Sequence, residues 1–320
     1  MKLRIWLLRI LLLLFIIIFV VPLLIPLPTV GADARTLADE DGRFVEVNGL
    51  DIYYIARGPA DGQPLVLLHG LGGATFSWRD NMTPLADAGF RVVAFDRPPF
   101  GLTEKNDTVD VSAPAQADIA AGLMDRLGID SAIMVGHSAG GGVIAHFALQ
   151  YPDRVDGLIF VAGAVGAGGG GAPAALGGAL GFPSFNRWLR IGARALVTPE
   201  WYGNTLATAF HDPAQATEAV RAGYTRVLQV RDWDVGFAAL LRDSSRNAFP
   251  EERLPELDMP SLLIWGREDT WVPLSRGEAL LAALPNATLT IYENVGHLPA
   301  EEAPERFNAD VIAWASEEEE

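Results

Sequence analysis

The sequence predicts an α/β protein with a mostly parallel eight-stranded sheet, helices on both faces, a helical insertion and an N-terminal transmembrane helix. Short apolar runs without polar alternation are separated by helical stretches, which is typical of parallel strands buried on both faces. This alternation stops at Gly163 and resumes at Ser261. The segment between them is therefore predicted to be an insertion between two strands of one sheet.

The predicted sheet opens with an antiparallel hairpin, because Asn48-Gly49 lies between two β-type runs and Asn-Gly is a strong hairpin signal. The strands are predicted at residues 43–47, 50–56, 65–68, 91–95, 132–135, 155–161, 261–265 and 288–292, and the helices near 78–88 and at 115–127, 139–150, 274–284 and 303–315. The predicted parts of the chain are an N-terminal segment 1–28, a linker 29–42, a core formed by 43–162 and 251–316, an insertion 163–250 and an acidic tail 317–320.

The N-terminal segment has basic residues followed by an unbroken apolar run from Ile10 to Val21. The basic residues are Lys2, Arg4 and Arg9. Counted from Ile5, the apolar stretch of about 20 residues is long enough to cross a bilayer. Basic residues before the span favour a cytoplasmic amino terminus, which places the chain after Pro28 outside the cytoplasm. The alternative is a signal peptide cleaved near Ala32-Asp33-Ala34, which would leave a secreted protein.

Composition excludes several classes of function. The net charge of −16 repels phosphate backbones, so we expect no nucleic-acid partner. Because the chain has no cysteine, it has neither disulfides, nor a thiolate metal site, nor a cysteine nucleophile. The histidines lack the H-x-x-x-H spacing, and the glycine-rich loop from Gly70 to Gly73 matches neither G-x-x-x-x-G-K nor G-x-G-x-x-G. We therefore expect no metal and no cofactor.

A candidate nucleophile stands in Gly136-His137-Ser138-Ala139-Gly140, which matches G-x-S-x-G. The motif lies between a predicted buried strand and a predicted helix, the context in which it has meaning. Glycines at both flanks permit a sharp strand-to-helix turn that projects the hydroxyl of Ser138 above the sheet. The pattern predicts a nucleophilic serine.

A serine hydroxyl needs a base to take its proton, and the base needs a third group to hold its tautomer. His297 follows the last predicted strand, and Asp269 follows the strand that ends near Trp265. We predict His297 as the general base and Asp269 as the acid. Glu268 is adjacent and is the main alternative acid. His137, His146 and His211 are expected to have structural or solvated roles.

The developing oxyanion needs hydrogen-bond donors. The backbone N–H of Ala139, directly after the nucleophile, is predicted to be one. The second is expected from the glycine-rich loop His69-Gly70-Leu71-Gly72-Gly73, where we choose the backbone N–H of Leu71. His69 is expected to shape this loop rather than to act as a base.

The segments LLHGLGG, FDRPPFGLT, VGHSAGGG, WGREDTWVP and NVGHLPAEEAPERF resemble the serine members of the α/β-hydrolase family. The resemblance covers about residues 43–315 outside the insertion, and it implies the α/β-hydrolase fold with the insertion as a helical cap over the active site. It also implies a structural role near the nucleophile for Asp96-Arg97-Pro98, while Pro99 replaces a frequent glycine. Serine at position 138 argues against the branches that use aspartate there, the haloalkane dehalogenases and epoxide hydrolases.

The favoured interpretation is hydrolysis of a small apolar carboxylic ester through an acyl-enzyme, by an enzyme attached to a membrane through its N-terminal helix. The insertion is rich in aromatic residues, which suit an apolar pocket, and its glycine-rich start, Gly163 to Gly181, is predicted to be a hinge. The aromatic residues are Phe182, Phe185, Trp188, Trp201, Tyr202, Phe210, Tyr224, Trp233 and Phe237. A carbon–carbon bond hydrolase or a cofactor-free haloperoxidase could use the same three catalytic residues. A non-catalytic ligand-binding protein is the alternative from another class.

Overall fold

A computed structural model describes residues 2–166 and 180–317. Eight strands form one sheet in the order β1-β2-β4-β3-β5-β6-β7-β8. Their bounds are β1 Gly42–Val47, β2 Leu50–Arg57, β3 Pro64–Leu68, β4 Arg91–Phe95, β5 Ala132–His137, β6 Val155–Val161, β7 Ser261–Gly266 and β8 Ala287–Tyr292. All eight lie where the sequence predicts strands, with ends that differ by at most two residues.

Strand β2 is antiparallel to both β1 and β4, and all other neighbours are parallel. The β1–β2 turn places Asn48 and Gly49 at φ values of 50° and 79°. Both values lie in the left-handed region, which Asn and Gly tolerate best. The predicted hairpin and the mostly parallel sheet are confirmed.

Helices cover both faces of the sheet, and each face has its own apolar core. The helices outside the insertion are α1 Lys2–Phe15, α2 Val21–Leu24, α3 Met82–Asp87, α4 Ala113–Leu127, α5 Ala139–Gln150, α10 Leu274–Ala283, α11 Pro299–Glu302 and α12 Pro304–Glu317; those in the insertion are α6 Pro183–Leu196, α7 Pro199–Ala207, α8 Glu218–Thr225 and α9 Trp233–Asp243. Helices α4, α5 and α10 pack on one face, and α3 and α12 pack on the other.

One predicted helix differs from the structure. The helix expected near 78–88 begins only at Met82, after a short 3-10 turn, Thr75–Trp78, whose Trp78 is buried against Phe307. The helix expected at 303–315 is α12, and the short helix α11 precedes it. Pro304 separates the two, because proline disfavours the helical conformation at the residue before it.

The N-terminal helix is continuous and exposed from Leu3 to Leu24, long and apolar enough to cross a membrane, although a signal sequence passes the same test. A π-helical segment, Ile16–Val20, connects α1 to α2. The end of this helix contacts α6: Ser184 Oγ donates to the carbonyl of Phe19 at 2.8 Å, and Arg187 donates to those of Pro22 and Ile25 at 2.7 and 2.6 Å.

The segment after the helix also contacts the insertion. Ala32 forms a parallel bridge with Val230, and Asp39 forms an ion pair with Arg226 at 2.7 Å. The N-terminal helix and the insertion are thus joined by several polar contacts. Most of the predicted hinge, and most of the predicted acidic tail, lie outside the described residues.

Candidate active site

Ser138 lies in the sharp turn between β5 and α5, with φ 50° and ψ −120°. This backbone conformation is strained for any residue other than glycine. Three hydrogen bonds hold it: the Ser138 N–H donates to the carbonyl of Val161 at 2.9 Å, and its carbonyl accepts from the N–H groups of Gly141 and Ala164, both at 2.8 Å. The end of β6 therefore fixes the turn that presents the serine.

The two motif glycines are needed because the backbone approaches them closely. A Cβ on Gly136 would lie 2.6 Å from the carbonyl oxygen of Gly140, and a Cβ on Gly140 would lie 2.4 Å from that of Leu68. These contacts are with backbone atoms, which cannot move aside cheaply. Both positions exclude a side chain while the turn keeps this shape.

His297 and Asp269 meet above the carboxyl ends of β8 and β7. The His297 Nδ1–H donates to Asp269 Oδ2 at 2.8 Å, and both side chains are almost fully buried. The other oxygen of Asp269 accepts from the backbone N–H groups of Trp271 and Val272, both at 2.8 Å. With Nδ1 carrying a proton, Nε2 of a neutral His297 is left as an acceptor.

Glu268, the alternative acid, is held elsewhere. Its Oε2 accepts from the backbone N–H of Val295 at 3.0 Å, and its own N–H donates to the carbonyl of Val295. This pairing joins the loops after β7 and β8. Of the two neighbouring carboxylates, Asp269 is the one that the structure brings to His297.

Two residues that the sequence reasoning missed fix the loop of His297. Glu302, five residues later, accepts from the backbone N–H groups of Gly296 and Leu298 at 3.0 Å and from that of His211 in the insertion at 2.7 Å. The N–H of His297 itself donates to the carbonyl of Ala209 at 2.7 Å. A carboxylate placed near the start of a helix soon after the candidate base was the available signal.

Trp271 is the second missed residue. Its ring lies 5.3 Å from that of His297, at an angle of 30°, and it lines the cavity described below. No pattern in the sequence distinguishes it from other surface aromatics. Only the arrangement of the loop after β7 brings it to the imidazole.

His137, the variable residue of the motif, is a further neighbour of His297. Its Nε2–H donates to the carbonyl of His297 at 2.8 Å, and the two rings are 4.9 Å apart. Burial, assisted by the nearby His297, lowers the pKa of His137 to about 3. The side chain is therefore neutral and acts as a fixed hydrogen-bond donor.

The glycine-rich loop that carries Leu71 is positioned by buried polar groups. His69 Nε2 accepts from the backbone N–H of Arg97 at 2.9 Å, and Arg97 Nε donates to the carbonyl of His69 at 2.7 Å. Asp96 accepts from the N–H groups of Thr75 and Leu102, both at 2.6 Å. Burial lowers the pKa of His69 well below its ordinary value. These contacts agree with the predicted structural roles of His69 and of Asp96-Arg97.

A cavity of about 210 Å³ lies between the sheet and the insertion. The candidate residues Leu71, Ser138 and His297 all line it, and Ala139 begins the helix directly after Ser138. Five of the nine aromatic residues noted in the insertion line it as well, namely Trp201, Tyr202, Tyr224, Trp233 and Phe237. Among the lining residues that the structure describes, there is no lysine and no arginine.

Other aromatic residues of the insertion have a different place. Phe210 belongs to the small core of the insertion, packed with residues such as Leu206 and Leu298. Phe185 makes an edge-on contact with Phe19 of the N-terminal helix, with ring centres 5.7 Å apart. The aromatic content of the insertion thus serves the cavity, its own core and the contact with the N-terminal helix.

Comparison with known proteins places the chain in a family of hydrolases. The sequence model of the α/β-hydrolase fold matches residues 63–304. The chain is 32% identical, over 265 residues that cover 81% of it and 88% of the relative, to a 2-hydroxy-6-oxononadienedioate/2-hydroxy-6-oxononatrienedioate hydrolase of Paraburkholderia phymatum. The protein belongs to the α/β-hydrolase family, as the motifs predict.

Two solved structures extend the comparison. A meta-cleavage product hydrolase from Pseudomonas fluorescens is similar with a TM-score of 0.72 and 26% identity, over 87% of this chain and 98% of that one. A membrane phospholipase A, described as a bacterial virulence factor, is similar with a TM-score of 0.69 and 25% identity over 99% of both chains. The second likeness therefore includes the N-terminal helix.

Proposed function

We propose that this protein is a membrane-attached serine hydrolase that cleaves apolar carboxylic esters, with Ser138, His297 and Asp269 as its catalytic triad. The observation that carries the proposal is the buried His297–Asp269 hydrogen bond beside a strained serine turn, at the wall of an apolar cavity. This arrangement supplies a nucleophile, a base and an orienting acid at one place.

The proposed reaction begins with attack of Ser138 Oγ on the ester carbonyl, while His297 Nε2 takes the serine proton. Asp269 holds the Nδ1–H tautomer and stabilises the imidazolium that forms. The backbone N–H groups of Leu71 and Ala139 stabilise the oxyanion. His297 then protonates the departing alkoxide, and water, activated by the same imidazole, releases the acid from acylated Ser138.

The character of the cavity supports an apolar ester as substrate. Its wall is mainly aromatic and aliphatic, and its described lining residues include no lysine and no arginine. A carboxylate buried there would lack a cationic partner, which makes its transfer from water costly. The likeness to a membrane phospholipase A over both whole chains supports an ester hydrolase that works at a membrane.

The curated relatives favour a second candidate, hydrolysis of a carbon–carbon bond. The relative from Paraburkholderia phymatum is named for such a reaction, and the hydrolase from Pseudomonas fluorescens is a meta-cleavage product hydrolase. The substrates in the name of the Paraburkholderia phymatum relative end in dioate, which denotes two carboxyl groups. The described lining residues of the cavity in this chain include no lysine and no arginine to pair with them.

One experiment tests the triad and separates the two candidates. The purified full chain is incubated with a fluorophosphonate probe and then digested for peptide mapping, and Ser138→Ala is the control. We expect labelling at Ser138 that the variant lacks, which would also exclude a non-catalytic binding protein.

The second part of the test compares p-nitrophenyl butyrate with a vinylogous 1,5-diketone carboxylic acid as substrates. We expect turnover of the ester to dominate. Efficient cleavage of the diketone together with negligible ester turnover would overturn the ester proposal and establish the carbon–carbon hydrolase. Absence of both labelling and turnover would overturn the catalytic role of Ser138.

A further inference from the structure

A chain of buried polar groups connects the cavity wall to an ion pair. Ser77 and Tyr224 line the cavity, and Ser77 Oγ lies 3.0 Å from Tyr224 Oη. Tyr224 Oη donates a short hydrogen bond to Glu301 Oε1, and Arg79 Nη1 pairs with Glu301 Oε2 at 2.5 Å. Tyr224 belongs to the insertion, whereas the other three residues belong to the core, so the chain crosses between the two.

The direction of each hydrogen bond in this chain follows from the charge of Glu301, where the chain ends. Burial raises the pKa of Glu301, and the Arg79 guanidinium at 2.5 Å opposes that effect and favours the carboxylate, which only accepts. Burial raises the pKa of Tyr224 well above its ordinary value, so its phenol keeps the proton that it donates to Glu301. The hydroxyl of Ser77 must then donate its own proton to Tyr224 Oη. The remaining lone pairs of Ser77 are left as acceptors at the cavity wall.

Two other hydroxyls on this wall are used in the same way. Tyr202 donates a short hydrogen bond to the carbonyl of Gly72, and Thr205 Oγ1 donates to the carbonyl of Trp201 at 2.9 Å. Their protons, like that of Ser77, are bound inside the protein. These hydroxyls offer lone pairs to a ligand.

Ser77 also lies against the loop that carries Leu71. A Cβ on Gly73, in the loop that carries Leu71, would lie 3.0 Å from Ser77 Oγ. A second cavity of about 10 Å³ is lined by Ser77, Glu301 and His137, the last being the residue before the nucleophile. That volume accommodates about one hydroxyl-sized group.

We propose that Ser77, oriented by Tyr224 and the Arg79–Glu301 pair, selects ester substrates that carry a hydroxyl group near the scissile ester group. The substrate hydroxyl donates a hydrogen bond to Ser77 Oγ. A substrate group that can only accept hydrogen bonds would face the lone pairs of Ser77 and is disfavoured. This inference rests on the proposed ester hydrolase activity and names its substrate class.

The test compares substrates that differ only in the proton to be donated. The full-length enzyme is assayed with ethyl 2- and 3-hydroxybutyrate against the corresponding fluoro esters, and with 2-hydroxyethyl butyrate against 2-fluoroethyl butyrate. Fluorine is close in size to a hydroxyl and has no proton to donate. Because fluorine withdraws electrons more strongly, each enzymatic ratio is divided by the ratio of the two esters' rates of hydrolysis by hydroxide. We expect kcat/KM to favour the hydroxy ester in at least one pair by about threefold to about tenfold, the size of one net hydrogen bond.

Two variants test the assigned direction. Ser77→Ala should remove the preference for the hydroxyl. Tyr224→Phe keeps the Arg79–Glu301 pair but frees the Ser77 proton, so it should raise the ratio of ethyl 3-oxobutyrate to ethyl 3-hydroxybutyrate turnover relative to the wild type. Thr225→Val removes a buried hydroxyl that donates to the carbonyl of Arg221 at 2.8 Å and does not line the cavity, so it should leave both ratios as in the wild type.

Failure of this inference is distinct from failure of the proposed function. Ester turnover with equal rates for every hydroxy and fluoro pair would overturn the selective role of Ser77 while leaving the hydrolase intact. An unchanged preference in Ser77→Ala would do the same, provided that circular dichroism shows the variant to be folded. No turnover of any ester, together with no probe labelling of Ser138, would instead overturn the underlying activity.

Discussion

Asp269 and Glu268 are adjacent carboxylates whose surroundings give them different tasks. Asp269 accepts three hydrogen bonds, two from backbone N–H groups and one from the His297 imidazole. Glu268 accepts from the backbone of Val295 and joins two loops. Asp269 is therefore the proposed acid because its carboxylate, and not that of Glu268, contacts the His297 imidazole.

Replacing each carboxylate by its amide tests this assignment. Asp269→Asn should lower kcat by about 10⁴, as in the serine-protease triad, because an amide N–H₂ next to Nδ1 favours the wrong tautomer. Glu268→Gln retains an oxygen that can accept from Val295 and should keep most of the activity. Rates with p-nitrophenyl butyrate, measured beside thermal unfolding, provide the check. A near-normal rate in Asp269→Asn would contradict the acid assignment.

At the scale of elements, the insertion presents one group of aromatic residues to the cavity and another to its own core. Phe237 in α9 lines the cavity, and Phe210 packs inside the insertion. An acyl chain that fills the cavity should gain at most about 0.8 kcal/mol for each buried methylene, about fourfold in kcat/KM.

We therefore expect kcat/KM for p-nitrophenyl esters to rise with acyl length until the cavity is full, and long triglycerides to be poor substrates. Phe237→Ala enlarges the cavity and should move the optimum to longer chains. Phe210→Ala is the matched control, which should lower the melting temperature but leave the optimum where it is. The same optimum in Phe237→Ala and the wild type would show that this wall does not contact the acyl chain.

The N-terminal helix and the insertion form another unit at this scale. Arg187 donates to two carbonyls near the end of the helix, and Arg194 donates to that of Pro28 at 2.7 Å. The carbonyls near the end of a helix lack partners within it, so arginine side chains satisfy groups that would otherwise need water. The sequence alone predicts this segment as a separate anchor, whereas these contacts connect it to α6 of the insertion, whose other helices line the cavity.

For the whole molecule, we expect the full chain to fractionate with membranes and to require detergent. A chain that begins at Thr29 should be soluble and folded, because it keeps the Ala32–Val230 bridge and the Asp39–Arg226 ion pair. Digestion of spheroplasts with external protease tests the orientation, with a known cytoplasmic protein as the protected control. Recovery of the full chain in the soluble fraction would contradict the anchor.

The stability of the whole molecule should depend on pH through its buried histidines. Burial lowers the pKa of His137 to about 3, from an ordinary value near 6.5. Below pH 6.5 the unfolded chain binds a proton that the folded chain does not, so the free energy of unfolding falls as the pH falls. His137 alone should account for about 2 kcal/mol between pH 6.5 and pH 5.

His137→Gln should remove this contribution, which makes the pH dependence shallower between pH 6.5 and pH 5 whatever the change in absolute stability. Chemical unfolding at several pH values measures it, and His211→Gln, which removes an exposed imidazole, is the control. Equal slopes for the wild type and His137→Gln would mean that His137 is protonated as readily in the folded chain as in the unfolded one.

Sequence patterns were sufficient to predict the succession of strands and helices along the chain, the hairpin at Asn48-Gly49, and Ser138, Asp269 and His297 as candidate catalytic residues. Apolar periodicity, turn residues and a short motif are local signals, and each depends on neighbours a few residues away. One predicted helix began too early, near residue 78, because Trp78 is instead buried against the distant Phe307 and the helix starts at Met82.

Tertiary structure decided what depends on residues far apart in the chain. It separated Asp269 from Glu268, placed His137 and Trp271 beside His297, and joined Ser77 through Tyr224 to a buried carboxylate. Two side chains of the same type that are neighbours in sequence can differ in their partners. The packing between elements sets the direction in which each side chain points and the charged groups that lie near it. No local pattern encodes that direction, so the choice among candidate residues, and the character of the cavity they line, emerges only when the chain is folded.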